Sequence, residues 1–332
     1  ERESLDSLPG RKKIYLSWSE LRDGIADLVS GFRKIAMQYS PNNNIPYISR
    51  VDAGTVELVR ACGAEVHTSA DLVQRFEATL SEEQIATHLR AAVHLREVMD
   101  LAFREIGDRI GRGRSTNEFE IQTFICDRFR DRKLHFDHPP IVAVDAHAGN
   151  PHYSPPETGS APMREGNLVL LDIWAREDHP DAIYADITWT GFIGRTVPDR
   201  IREVFDVVRG GRDAGIEKVR SAVAAGKPIR GCEVDDATRN FIRERNFGEY
   251  FIHRTGHSLG RQVHGNGANI DNLETQDERQ LLPNTAFTIE PGVYLPEFGI
   301  RSEVDLILTG DKVEVTGQPI QTEVLTLLGN QG

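Results

Sequence analysis

Two apolar stretches constrain this chain most: NLVLLDIWA at 167–175 and IYADITWT at 183–190, joined by the polar turn REDHPDA. Their aliphatic and aromatic content is that of buried strands, and the short turn predicts an antiparallel hairpin. Each strand carries one aspartate, Asp172 and Asp186. An ionised carboxylate in a buried strand is costly unless a cation or a set of donors compensates it. Two such costs on paired strands suggest a metal. The alternative is a pair of strand-end aspartates holding donors in nearby loops, and the hairpin alone leaves both readings open.

With 332 residues the chain suits two domains, or one large domain with an extension. A formal net charge of -12 with no evident basic patch argues against a nucleic-acid partner, while acidic clusters could serve divalent cations. Cys62, Cys126 and Cys232 are too few and too widely spaced for a disulfide framework or a CxxC metal site, and are expected in the core. No apolar run approaches the roughly 20 residues that span a bilayer, and no signal-like start is read. No membrane partner is therefore expected, and the expected location is cytoplasmic.

Residues 1–78 alternate helix and strand as a small α/β unit: a helix near Trp18 to Phe32, the strand IAMQYS, a helix over 53–61 and the strand AEVHTS. PNNNIPY at 41–47 reads as a surface loop. From Ser81 a long segment with helical apolar spacing follows; its His88 and His94 are read as structural. Ser115 and Glu118 form the Ser-x-x-Glu capping box of the next helix. A short strand and a Gly-, Asn- and Pro-rich loop then carry His147 and His152 ahead of the hairpin, and loop histidines are better functional candidates than helical ones. Past the hairpin, helices at 198–226 and 233–245 restart the order helix, helix, strands.

The densest stretch is YFIHRTGHSLGRQVHG, with His253, His257 and His264 four and seven residues apart. Its step of four lacks the glutamate of H-E-x-x-H and contains a glycine, so a loop exposing imidazoles to a cleft is the better reading. Finally AFTIEPGVYLPEFGIRSEVDLIL places Glu290 at the end of one apolar strand and Glu303 at the start of another. Four strand-borne carboxylates and an imidazole loop make a mixed oxygen and nitrogen set, suited to two divalent ions of the manganese, cobalt, iron or zinc kind.

The motifs LLDIWA, YADITWT, HRTGHSLGRQVHG, FTIEPGVY and GIRSE, in this order, resemble the pita-bread metallopeptidases, specifically their Xaa-Pro branch of prolidases and aminopeptidase P. The resemblance covers about 139 to 305. It implies an α+β fold: a pita-bread catalytic domain over 79–332, with a curved antiparallel sheet and two pseudo-symmetric halves, after a small, short α/β domain over 1–78. It also implies two divalent ions, manganese first and cobalt, zinc or iron as alternatives, bound by Asp172, Asp186, His257, Glu290 and Glu303. Asp186 and Glu303 would bridge the ions, Asp172 would belong to one, and His257 and Glu290 to the other.

The implied activity is hydrolysis of the Xaa-Pro bond in dipeptides or at the N-terminus of longer peptides, the metals activating water and polarising the carbonyl. Glu290 would be the general base, and His152 and His264 donors to substrate and tetrahedral intermediate. His253 would line the proline-side pocket, with Tyr294 a polar neighbour of the intermediate or a packing residue. Arg301 would orient Asp172, and Thr188, two residues from Asp186 on the same strand face, would hydrogen-bond within the site. The implied partners are a small peptide substrate and a second copy of the chain in a homodimer.

The chain departs from the family pattern in four places. Ile173 and Trp174 follow Asp172 where Asp-x-Gly is usual, the turn between the aspartates is long, Gly265 follows His264 where many peptidases have an acid, and Val304 follows Glu303 where an aspartate is usual. All lie near the cleft and leave substrate choice open. The same fold also hosts metal-dependent lyase and metal-free C–N hydrolase chemistry, and a non-catalytic binding module is a third class. The intact ligand set speaks against the metal-free route.

Overall fold

The aspartate-bearing runs pair antiparallel, Leu168–Glu177 against Ala185–Phe192, with Asp172 opposite Thr188 and Trp174 opposite Asp186. This computed structural model describes residues 6–310 and 312–328. The first strand runs two residues beyond the expected end, because Arg176 and Glu177 pair with His135 and Leu134 and the Arg90 guanidinium grips both Glu177 oxygens at 2.7 Å. The second starts two residues late. The Ile183 amide donates to the Thr87 hydroxyl and the Tyr184 amide to the Gly260 carbonyl, so neither joins the ladder.

Packing divides the chain into Glu1–Val73 and Gln74–Gly332. In the first unit, Ser17 and Glu20 form a capping box at the start of α1 (Trp18–Val29), and Asp52 caps α2 (Ala53–Ala61). The strands Lys34–Met37 and Glu65–Thr68 pair in parallel. The 41–47 segment contains short 3-10 turns at Pro41–Asn43 and Pro46–Ile48 rather than open loop. Cys62, just past α2, is exposed, unlike the buried Cys126 and Cys232; at a helix end facing water a thiol has no core to enter. Helix α3 (Ala70–Glu77) runs across the division.

The larger unit repeats one arrangement. Helix α4 (Glu82–Gly111), capped by Ser81 and Gln84, directs Leu95, Met99, Ala102 and Ile106 to one face, the three- and four-residue spacing of a buried stripe. With α5 (Glu118–Asp131) this face packs on the hairpin around Val169, Leu171 and Ile187. Next, α6 (Asp199–Ala224) and α7 (Gly231–Arg243) precede the antiparallel strands Thr285–Ile289 and Val304–Thr309, where Val219 and Val234 meet Phe287 and Leu306. Sheets and helices thus form an α+β architecture.

Two helix starts differ from the sequence expectation. Residues Thr116–Asn117 pair as a short strand with Pro162–Met163, and this extended backbone delays α5; its cap is Asn117, accepting from the Glu120 amide, not Ser115. Helix α7 starts at Gly231 rather than 233, with the Glu233 carboxylate reaching back to the Arg230 amide. Among the described residues no helix is long and apolar enough to cross a membrane.

Candidate metal centre

Asp172 and Asp186 reach the site from the hairpin, Glu290 and Glu303 from the ends of Thr285–Ile289 and Val304–Thr309, and His257 from the loop before Ser258–Leu259. Backbone pairing locks these sources together. The Glu290 amide donates to the Thr255 carbonyl at 2.7 Å, the Thr288 amide to the His257 carbonyl at 2.9 Å, and the Glu303 amide to the Thr188 carbonyl at 3.2 Å. Gly256 makes the first two pairings possible: a Cβ there would lie 2.1 Å from the Thr288 carbonyl oxygen. Gly265 answers a similar crowding. The Ser258 hydroxyl, which accepts from the Gly267 amide, would stand 3.0 Å from a Cβ at 265.

One ligand atom from each of Asp186, His257 and Glu303 lies within 4.8 Å of the others, and all three residues are buried. His257 Nε2 is 3.6 Å from Asp186 Oδ2 and 3.5 Å from Glu290 Oε1. With its Nδ1 proton given to the Ser258 carbonyl at 3.2 Å, His257 turns an Nε2 lone pair toward the acids, the tautomer a metal ligand needs. Asp172 is held by the Arg301 Nη2 group, and Arg301 also donates to the Thr188 hydroxyl at 3.2 Å and to the Tyr294 hydroxyl at 3.0 Å. Thr188 passes its own proton to Glu303 Oε2 at 2.7 Å.

Among the described residues, Asp172 Oδ1, Asp186 Oδ1 and Glu303 Oε1 are buried with no hydrogen-bond partner. Buried acceptors of this kind are expensive without a compensating charge. Burial, then the neighbouring acids, pushes Asp186 and Glu303 well above the usual carboxylate range, and burial raises Glu290 to about 7. Burial, then the charges of His264 and Arg254, holds His257 well below the usual imidazole value. Burial works against the Arg301 charge, but Tyr294, Asp172 and Glu290 raise its pKa well above normal. Protonation would neutralise these carboxyls one at a time; divalent cations would compensate several at once, and the oxygen and imidazole donors suit them.

All of the predicted site residues except Thr188 and Tyr294 line one cleft of about 620 Å³. His264 meets His257 edge-on at 4.4 Å between ring centres, and burial, with the charges of Arg254 and His152, depresses it to about 4. His152 lies at the exposed mouth. His253 has both nitrogens engaged: Nδ1 donates to the Arg254 carbonyl and Nε2 accepts from the Tyr294 hydroxyl, each at 2.7 Å. The Tyr294 proton is thereby committed to His253, while the Tyr294 oxygen also accepts from Arg301. Trp174 lines the cleft on the face of Asp172 and opposite Asp186.

Several residues not singled out in the sequence build the site from behind. Asp305 Oδ2 accepts from the Asp186 amide at 2.9 Å. His88, fully buried, bridges the Tyr184 carbonyl and the Thr316 hydroxyl beside Asp305, consistent with a structural role; His94 lies near Glu97 on the helix surface. Asp235 accepts from the Thr255 and Asn272 amides, while its partner Arg239 donates to the carbonyls of Phe251 and His253, so one ion pair on α7 holds the histidine loop. Period-two alternation puts Asp305 on the same side as Glu303 and was a readable signal; the Asp235 contacts are long-range and left none.

Residues 86–310 match the model of metallopeptidase family M24. An Xaa-Pro dipeptidase of Lactobacillus helveticus is 30% identical over 213 residues, 64% of this chain and about half (53%) of that relative's length. An uncharacterized peptidase of Staphylococcus aureus (strain MW2) is 26% identical over 257 residues, 76% of this chain and 67% of that one. Among solved structures, a prolidase from Thermococcus sibiricus superposes with a TM-score of 0.63 at 23% identity, covering 98% of this chain and 82% of that one, a likeness of fold. A dipeptidase from Pyrococcus horikoshii OT3 gives 0.62 at 26% identity, over 93% and 78%.

Proposed function

The chain belongs to metallopeptidase family M24, and from that premise we propose that it hydrolyses the Xaa-Pro bond of dipeptides, or of peptides at their N-terminus, with two divalent ions. The observation that carries the reading is the buried cluster of Asp186, His257 and Glu303, one ligand atom of each within 4.8 Å of the others, in a site where Asp172, Asp186 and Glu303 each keep a buried carboxylate oxygen without a hydrogen-bond partner among the described residues. The Xaa-Pro preference is supported by the name of the Lactobacillus relative.

Asp172, Asp186, His257, Glu290 and Glu303 would hold the ions, which lower the pKa of water and polarise a carbonyl. Glu290 takes the proton of the attacking water and returns it to the leaving proline nitrogen, its Oε1 steadied by the Thr288 hydroxyl at 3.3 Å. His264, neutral at physiological pH, donates an N–H to the carbonyl oxygen as negative charge develops, and His152 supplies a second donor from the cleft mouth. His253 offers its ring as a wall to the proline side, since its nitrogens are occupied. Arg301 and Thr188 hold Asp172 and Glu303 in place.

The test is incubation of metal-loaded protein with Xaa-Pro dipeptides and longer Xaa-Pro peptides, following release of the first residue. Turnover with manganese, cobalt, zinc or iron is expected, manganese best; absence of turnover on both peptide classes with every metal sinks the proposal. Light scattering on the same preparation checks the proposed homodimer.

A further inference from the structure

Glu118, the first residue of α5, belongs to no ligand set, yet its carboxylate is fully buried. Four donors converge on it. The Val144 amide reaches Oε1 at 2.9 Å and His147 Nδ1 reaches the same oxygen at 2.9 Å; the Tyr153 hydroxyl and the Ala161 amide reach Oε2 at 2.7 and 3.0 Å. All four belong to the segment 144–161, at both of its ends and in its middle. That segment brings Pro151 and His152 to the cleft.

The rest of the loop is fastened as well. Asp145, at a φ of 45°, accepts from the Leu168 amide and the Asn167 side chain, and the His152 amide donates to Asn150 Oδ1 at 3.0 Å. Tyr153, the neighbour of His152, stacks on His147 with 4.5 Å between ring centres. The hub of these contacts is Glu118. Only a carboxylate meets four donors without conflict, because an amide would turn an NH₂ group against them, and the Val144 and Ala161 amides cannot turn away.

We propose that Glu118 is a positioning residue that fixes the backbone on either side of His152 and so aims its imidazole into the cleft. This rests on the reading above, in which His152 touches the substrate. A carboxylate removed from solvent at the foot of a loop is compensated only while the loop keeps its shape, so its burial and the placing of residue 152 are one equilibrium.

The test is a double-mutant cycle in the full, metal-loaded chain, with Glu118→Gln, His152→Ala and the pair assayed on an Xaa-Pro dipeptide. Glu118→Gln should lower kcat/KM about 10- to 100-fold in the native background, the order of loss a misplaced group produces. In the His152→Ala background it should lower it less than about threefold, with metal stoichiometry unchanged. Equal losses in both backgrounds, or no loss in the native one, overturn the proposal. Tyr153→Phe removes a single donor and should give a smaller loss with the same dependence on His152; it decides the matter if Glu118→Gln does not fold. Imidazole NMR supplies an arm independent of turnover. The ring signals of His152, assigned by their loss in His152→Ala, should move in Glu118→Gln while those of buried His88 stay in place. If the chain cleaves no Xaa-Pro peptide, the functional reading falls and these signals still decide the positioning role, unmoved His152 signals refuting it.

Discussion

Replacing Glu290 by glutamine should stabilise the metal-free protein at alkaline pH and leave it unchanged in acid. Burial lifts the Glu290 carboxyl from its ordinary 4.5 to about 7. Between these values the folded chain holds a proton that the unfolded chain has released, so this group's contribution is fully present below about pH 4.5 and is lost as pH rises through about 7. At 1.36 kcal/mol per pH unit the loss is about 3 kcal/mol. Glutamine is neutral throughout and avoids it. His88, His253 and His264, which burial holds at about 4, 3 and 4, act with the opposite sign, gaining stability as pH rises toward their unfolded value. The absolute pH slope therefore mixes both, and the difference between the two proteins leaves the contribution of Glu290 together with that of the acids its charge repels. Urea unfolding in EDTA at pH 4.5, 6 and 8 reads it. The curves should coincide at pH 4.5 and separate by about 3 kcal/mol at pH 8, the variant the more stable. A separation independent of pH refutes the reasoning.

Three further outcomes follow from the same geometry. Arg301→Met strips donors from Asp172, Thr188 and Tyr294 and should weaken metal binding about 10- to 100-fold in a chelator competition; Arg301→Lys, lacking the planar fork, should restore only part. Gly256→Ala places a Cβ 2.1 Å from the Thr288 carbonyl oxygen and should part the histidine loop from its strand, costing more than about 3 kcal/mol in urea unfolding and lowering metal content by elemental analysis. Saturation with a divalent ion at 100 times its Kd should stabilise the chain by about 2.7 kcal/mol, read as a rise in the urea midpoint that EDTA reverses.

The candidate cluster was legible because each acid breaks a local rule. Asp172 and Asp186 interrupt apolar strands, and Glu290 and Glu303 stand where such strands end or begin, so pattern alone marks them. The supports were hidden for a different reason. Glu118 sits in overlapping capping boxes, Ser115 to Glu118 and Asn117 to Glu120, and local spacing fits both. The choice falls to Met163, whose pairing with Thr116 across an intervening helix no local pattern reports. Arg239 likewise reads as half of an ordinary i, i+4 pair with Asp235 on a solvated helix face until the histidine loop arrives beside both. In the hairpin, Thr87 and Gly260 decide where the second strand begins, again from far along the chain.

The bond from Thr188 to Glu303 spans 115 residues of sequence and joins the two halves of the larger unit at the ligand cluster. Contacts of such separation close late in folding, after local helices and hairpins have formed. On the proposed reading, high-affinity metal capture would be an event of the last stage: the hairpin alone offers two carboxylates, and the full cluster forms once the second set of strands has docked. In a refolding experiment the ion would act as a timer, its uptake lagging the helical signal, and a chain arrested before that docking would be recognised by its failure to compete with a chelator.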